Sequence, residues 1–343
     1  MSKLSLYRKY RPGDFDSVLG QDHIVSVLKG SLQSEKLAHA YLFSGSRGTG
    51  KTSIARILAK ELKITANDLY EIDAASNRGI DEVRALREAV NVLPFESKYK
   101  VYIIDEVHMM TKDAFNALLK TLEEPPKHVI FILATTEPEK LPETIVSRCQ
   151  HFRFNRPTRS ILREMTKKVG LAEGYKINDG ACDLIAFLGD GSFRDTHGIL
   201  QKVISNSSDK KITEDEVRVA TGTPNREIIN NFLSALVLGN REIGFLAISK
   251  AVELNLDIKL FIRFLSEQIR QIILFRISEK VFESVFGKIE NEEKIELKKY
   301  AENKQINSVL LRLVLECYGQ VQYFYAPEIA LEILLEDYMA KND

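Results

Sequence analysis

Gly45-Ser46-Arg47-Gly48-Thr49-Gly50-Lys51-Thr52 decides how this chain is read. The stretch satisfies the phosphate-loop pattern G-x-x-x-x-G-K-[ST] at every fixed position. An apolar run, Ala40-Tyr41-Leu42-Phe43, leads into it, and a helical pattern from Ser53 to Lys63 leaves it. In that setting the glycines let backbone N–H groups turn inward as an anion nest at a helix N-terminus. Lys51 would then reach the β- and γ-phosphates, and the Thr52 hydroxyl would reach Mg²⁺. The alternative, a glycine-rich turn that only joins strand to helix, leaves the Lys-Thr pair unexplained.

A second apolar run, Val101-Tyr102-Ile103-Ile104, ends in Asp105-Glu106. Downstream of a phosphate loop, phosphoryl transfer needs two carboxylates of this kind: Asp105 for the Mg²⁺ shell, Glu106 to orient and polarise a water. Taken alone, the same pair could cap the next helix. Val129 to Ala134 runs into Thr135-Thr136, at the end of an open sheet where ligands collect. Thr136 could hydrogen-bond a γ-phosphate or the attacking water; threonine is also simply favoured in strands. Ser147-Arg148-Cys149 offers either a solvated arginine or an arginine finger for a neighbour's nucleotide, worth about 10³–10⁵ in rate. Arg194, in the first turn of a later helix, is a third candidate cation or an ordinary surface arginine. Spacing alone does not separate these readings.

The first half alternates strand and helix, with strands expected at Ala40–Phe43, Leu69–Ile72, Val101–Ile104 and Val129–Ala134. Between Thr111 and Glu124, Phe115, Leu118, Leu119 and Leu122 recur at helical spacing until Pro125-Pro126 stops them. This predicts an α/β fold, a parallel sheet with helices on both faces. After Phe152-Arg153-Phe154 the pattern changes, and no strand is expected beyond Pro157. Ala181, Leu184, Ile185 and Leu188 form a stripe that Gly189-Asp190-Gly191 breaks, and Ser192-Phe193-Arg194-Asp195 reads as a capping box. Gly222-Thr223-Pro224 marks a second boundary, and helices follow to the end. The expected domains are 1–157 (nucleotide-binding), 158–222 (small helical lid) and 223–343 (all-helical).

The 343 residues suffice for two or three domains. Lys+Arg and Asp+Glu balance at 48 each, so bulk charge gives no footprint for DNA or a membrane. Apolar runs are too short for a membrane helix, and Met1-Ser2-Lys3-Leu4-Ser5 lacks the apolar core of a signal peptide. The three separated cysteines, Cys149, Cys182 and Cys317, give neither a disulfide framework nor zinc spacing, and they fit a reducing cytoplasm.

Together these pieces resemble the clamp-loader ATPases of the AAA+ class, and within them the bacterial DNA polymerase III gamma/tau family. The resemblance is carried by Leu6-Tyr7-Arg8-Lys9-Tyr10-Arg11-Pro12, Val18-Leu19-Gly20-Gln21, the run His39 to Gly45 and Glu71-Ile72-Asp73-Ala74-Ala75-Ser76. Asp105-Glu106-Val107-His108-Met109, Asn116 to Pro126, Leu133-Ala134-Thr135-Thr136, Ser147-Arg148-Cys149, Gly191 to Asp195 and Tyr325-Ala326-Pro327-Glu328 extend it. It is dense in residues 1–200 and thin in the helical third.

The resemblance implies an AAA+ domain, a lid and an oligomerising collar, with ATP and Mg²⁺ as cofactors. It implies Thr136 as first sensor, Arg148 as a finger acting in trans, Arg194 as second sensor in cis, and Tyr7, Arg8, Arg11 and Pro12 beside the adenine. The implied partners are further copies of the chain, delta and delta-prime-like subunits, a sliding clamp and primer–template DNA, with no membrane. The implied work is ATP-driven opening and loading of the clamp during replication. DNA contacts would go mostly to phosphates. Arg78 and Arg84 are the candidates for them, a solvated helix face being the other reading.

Two departures stand out. The family usually carries a cysteine zinc module before the Glu-Ile-Asp-Ala-Ala-Ser strand; here Glu61 to Asp68 is short and has no cysteine, so no zinc is expected. That keeps open a relation to the replication-factor-C small subunits. The chain also stops after its third expected domain and looks like the short form. Competing readings are a non-hydrolysing delta-prime-type arm, a translocating AAA+ motor, and a scaffold that binds nucleotide for stability. Intact Lys51-Thr52 and Asp105-Glu106 weigh against the first, and the lack of an aromatic-hydrophobic-glycine pore loop against the second.

Overall fold

Five parallel strands, β1 (Ala40–Ser44), β2 (Leu69–Asp73), β3 (Lys100–Asp105), β4 (Val129–Thr135) and β5 (Gln150–Arg153), form one sheet in the order β2-β3-β4-β1-β5. The computed structural model describes residues 4–77, 79–286 and 291–340, without the side chains of 80–84, 291–293 and 296. Successive side chains of a strand point to opposite faces, and here both faces are covered. Leu42, Tyr102, Ile104, Phe131 and Leu133 pack against Phe115, Leu118 and Leu122 of the helix Lys112–Glu123. Tyr41, Phe43, Ile103 and Ile132 pack against Ile54 and Leu58 of the helix Lys51–Glu61, and against Ile24 and Leu28 of the helix Asp22–Gln33. Burial on both faces is why the strands read as continuous apolar runs. Each fully buried side chain of this size contributes about 1.5–3 kcal/mol.

Local signals set the helix ends. Thr111 caps the helix Lys112–Glu123 by accepting from the Ala114 N–H at 3.2 Å, and Pro125-Pro126 follows its end. The helix after the glycine loop starts at Lys51 rather than the expected Ser53. Gly50, at φ 103°, takes the position before it, so Lys51 and Thr52 belong to the first turn, whose N–H groups have no partner within the helix.

Two expectations need correction. β5 was not among the expected strands; only one of its four residues is buried, so its character comes from pairing with β1 rather than from its own pattern. Beyond Pro157, Lys176–Ile177 pairs in parallel with Lys211–Ile212. Two residues are too few to show alternation, so no sequence pattern announced them.

By its contacts the chain parts into two compact units, one ending at Glu214 and the other beginning at Asp215. The first holds the sheet and, after it, the helices Arg159–Ala172, Asp179–Leu188 and Phe193–Asn206. The second is helical among its described residues, around a core that includes Phe232 and Phe261 in edge contact at 5.5 Å. Gly239 (φ 67°) ends its helix Arg226–Leu238, and Asn240 caps the next, Arg241–Glu253. Among the described residues no helix is long and apolar enough to cross a membrane.

Candidate functional site

The strand order places β4 between β1 and β3, so three C-terminal strand ends lie side by side. The Gly45 N–H donates to the Thr135 carbonyl at 3.2 Å and starts the glycine loop from that row. Gly45, Gly48 and Gly50 have φ of 144°, 75° and 103°, values that other residues rarely adopt. Gly48 has a further reason to lack a side chain: a Cβ there would lie 2.0 Å from Ser192 Oγ. The Phe193 N–H donates to the Gly48 carbonyl at 2.9 Å, so the helix Phe193–Asn206 begins directly on the loop. Ser192 caps that helix by accepting from the Asp195 N–H at 3.1 Å, which sets Arg194 in its first turn, facing the loop.

Lys51 is 6% exposed and its Nζ donates to the Gly45 and Ser46 carbonyls at 2.7 and 3.0 Å. Burial pulls its ammonium below the usual lysine value, while Glu106 and Asp105 oppose that shift. Thr52 Oγ1 donates to Asp105 Oδ2 at 2.9 Å, and Asp105 Oδ1 accepts the Glu106 N–H at 3.0 Å. Glu106 has left-handed backbone, φ 49° and ψ 44°, a conformation uncommon outside glycine and one that recurs at functional sites. Thr136 Oγ1 donates to Glu106 Oε2 at 3.1 Å.

These groups open on a cleft of about 940 Å³. Arg47, Gly48, Thr49, Gly50, Lys51, Thr52 and Ser53 line it, with Asp105, Glu106 and Arg194. Tyr7, Arg8, Arg11 and Pro12 form its other wall. Arg11 Nε donates to Ser53 Oγ at 3.0 Å, and the Arg8 and Arg194 guanidiniums each lie 5.7 Å from the centre of the Tyr7 ring. The N-terminal segment is fastened to the helix Phe193–Asn206 by the Leu6 N–H, which donates to Gln201 Oε1 at 2.9 Å. Tyr10 stacks on His197 with ring centres 6.4 Å apart.

Gly45 and Ser46 meet Lys51 through their carbonyls, and Thr136 meets the site through Glu106. Arg148 is not among the residues lining this cleft. Its guanidinium pairs with Glu123 Oε1 at 2.6 Å and donates to the Thr144 carbonyl at 2.8 Å. Arg78 and the side chain of Arg84 lie outside the described residues. Sequence reasoning missed Met165, Lys168, Val169 and His197, which also line the cleft. They sit on helices whose pattern announces only a buried stripe. It also missed Gln21, 1% exposed, which holds Asn155 through a 2.8 Å bond to its carbonyl and a 3.2 Å bond from its N–H. Among the described residues no group of three or more His, Cys, Asp or Glu side chains is arranged to hold a metal ion.

A family model described as DNA polymerase III, delta subunit, matches residues 20–71 and 63–158. The chain is 45% identical over 257 residues to DNA polymerase III subunit tau of Bacillus subtilis, covering 69% of this chain and 46% of that protein. It is 38% identical over 296 residues to DNA polymerase III subunit gamma/tau of Mycobacterium tuberculosis, covering 80% and 51%. It is 32% identical over 353 residues to DNA polymerase III subunit gamma of Buchnera aphidicola, covering 96% of each. The chain spans about half the length of the first two relatives. Among solved structures, the Thermotoga maritima RuvB Holliday junction branch migration motor is similar in fold, with a TM-score of 0.53, 21% identity, and coverage of 66% of this chain and 79% of that one.

Proposed function

Because the chain belongs to the family of DNA polymerase III gamma/tau subunits, we propose that it is an ATP-hydrolysing motor subunit of a clamp loader, which opens a sliding clamp and loads it onto primer–template DNA. The observation that carries this reading is the 2.9 Å contact between Thr52 and Asp105. It joins the first turn of the helix that follows the glycine loop to a strand-end carboxylate, setting a hydroxyl beside a carboxylate as a Mg²⁺ site needs. The donor set fits a nucleotide with Mg²⁺: glycine N–H groups, a buried ammonium, and a hydroxyl beside a carboxylate. A purely structural arm of delta-prime type would not need Lys51, Thr52, Asp105 and Glu106 together.

In this reading Gly45 to Ser53 cradle the phosphates, and Lys51 neutralises charge on the β and γ groups. Thr52 and Asp105 hold Mg²⁺, which when bound offsets the negative charge of the transferring phosphoryl group. Glu106 accepts the proton of the attacking water as the terminal phosphate leaves its bridging oxygen, and Thr136 keeps Glu106 in place. Arg194 contacts the phosphates in cis, and Arg148 of one subunit serves the nucleotide of its neighbour. Tyr7, Arg8, Arg11 and Pro12 take the adenine. ATP favours the clamp-holding arrangement and ADP does not, so hydrolysis releases the loaded clamp. The division into 1–157, 158–222 and 223–343, the last as oligomerising collar, and a cytoplasmic location belong to the same reading.

The test is steady-state ATP hydrolysis by the chain with clamp-loader partners, with and without primed DNA and a clamp. Stimulation by both, lost in Lys51→Ala, supports the reading. A rate indifferent to both, or raised by unprimed DNA alone, sinks it.

A further inference from the structure

The turn after β3 carries a side chain that the proposed chemistry leaves unused. Glu106 caps a single helical turn, Val107–Met109, in which the Met109 N–H returns to the Glu106 carbonyl at 2.9 Å. That return brings His108, two residues on, back toward the Glu106 carboxylate. The imidazole is nearly closed to solvent, with its side chain 6% exposed. Its Nε2 lies 2.9 Å from Glu137 Oε2, and the other oxygen of Glu137 is taken by Lys140 Nζ at 2.8 Å. An ionised carboxylate only accepts, so Nε2 carries a proton and donates it. Its Nδ1 lies 2.9 Å from Thr135 Oγ1, which in turn accepts the Glu137 N–H at 3.0 Å. The ring is thus held at both nitrogens by residues that end β4 or follow it. Held there, Nδ1 stands 3.5 Å from Glu106 Oε2, too long for a strong hydrogen bond but close enough to bar the carboxylate from swinging that way.

We propose that His108, fixed by Glu137 and Thr135, is a positioning residue that confines the Glu106 carboxylate to the orientation in which it accepts the Thr136 hydroxyl. The inference rests on the reading of Glu106 as the group that polarises the attacking water. Its physical basis is a shortage of constraints. Among the described residues Thr136 supplies the one hydrogen bond to the Glu106 side chain, and the backbone beneath it is left-handed. A carboxylate oxygen held by a single hydrogen bond can still swing about it, and a misplaced base loses rate without losing substrate. His108 approaches that same oxygen, Oε2, at 3.5 Å, so Thr136 and the imidazole together fix where it sits. The Glu137 carboxylate meets the imidazole and Lys140 rather than Glu106 itself.

The test uses the chain assembled with clamp-loader partners, primed DNA and a clamp. It reads kcat for ATP, the Kd of a fluorescent ATP analogue, and the melting temperature. His108→Phe keeps a ring and removes both nitrogens. It is expected to lower kcat about 10- to 100-fold, as loss of a supporting residue commonly does, with the nucleotide Kd within about twofold of the parent. Glu137→Ala is expected to lower kcat in the same way, and the double variant to be no worse than His108→Phe alone. His108→Asn, which keeps a polar atom near the Nδ1 position, recovers part of the rate and carries the test should the Phe variant melt early. A His108→Phe enzyme with parental kcat, a loss expressed in Kd instead, or simple additivity with Glu137→Ala each overturns the proposal while the reading of Glu106 stands. If Glu106→Gln itself leaves turnover intact, that reading falls and takes this inference with it.

Discussion

Thr136 donates its hydroxyl proton to Glu106 Oε2 across 3.1 Å, so the residue that follows β4 holds the residue that follows β3. A hydrogen bond to a charged group is worth about 1.5–3 kcal/mol. Thr136→Val keeps the shape and removes the donor. If most of that energy is expressed in the transition state, kcat for ATP falls about 10- to 100-fold, with little change in nucleotide Kd. Paired measurements of kcat and Kd check this. A raised Kd with parental kcat would mean that Thr136 contacts the nucleotide rather than Glu106.

Gly48→Ala is expected to harm the loop twice. The left-handed backbone at φ 75° penalises any Cβ by about 1–2 kcal/mol, and that Cβ would lie 2.0 Å from Ser192 Oγ. Ser192 must then turn its hydroxyl off the helix cap, or the helix Phe193–Asn206 must shift from the loop with Arg194. Calorimetry should show a lower melting temperature, and nucleotide titration a weaker Kd. Adding Ser192→Gly should restore part of both, because it removes the clash but not the backbone strain.

Arg148→Ala should leave folding nearly untouched, since a half-exposed ion pair such as Arg148–Glu123 is worth about 0–1 kcal/mol. Hydrolysis in the assembled complex should nonetheless collapse if Arg148 serves a neighbour. Mixing Arg148→Ala chains with Glu106→Gln chains should return some activity, at interfaces pairing an intact finger with an intact site. No recovery at any mixing ratio would count against action in trans.

Asp68 holds the loop before β3 together: its carboxylate accepts the Phe95, Glu96 and Ser97 N–H groups at 2.6, 2.9 and 2.8 Å. Burial opposes its ionisation, yet those donors win and hold its carboxyl well below the usual range. A carboxyl that ionises more easily when folded stabilises the fold fully above its unfolded value of about 3.9, and that contribution fades as pH falls below it. Asp68→Asn leaves backbone donors short of acceptors and should cost about 1–3 kcal/mol. Acid titrations of melting temperature should show a shallower fall for Asp68→Asn than for the parent below about pH 4. Parallel curves would mean that Asp68 contributes nothing to acid sensitivity.

Much of the fold was legible because its signals are local. β1, β3 and β4 are buried on both faces, so each is an unbroken apolar run. β5 was not legible, because an edge strand with one buried residue takes its form from its neighbour. In the candidate site, Gly45 to Thr52 could be read directly, as could the carboxylates that end β3. His108 stood in the open within Asp105-Glu106-Val107-His108-Met109, but nothing in a linear chain says that its ring meets Glu137 and Thr135.

Neighbours along the chain suffice for the phosphate loop, whose glycines and first helical turn lie within eight residues, for the apolar strands, and for the caps at Thr111 and Ser192. The rest depends on the order of strands in space. β4 lies between β1 and β3 although it follows both in sequence, and that order brings Thr136 to Glu106 across 30 positions of chain. The same packing sets Phe193 on Gly48 and turns Arg148 toward Glu123 rather than into the cleft. Contacts of this kind are fixed by which buried faces fit together, a property of many side chains at once that no spacing along the chain records.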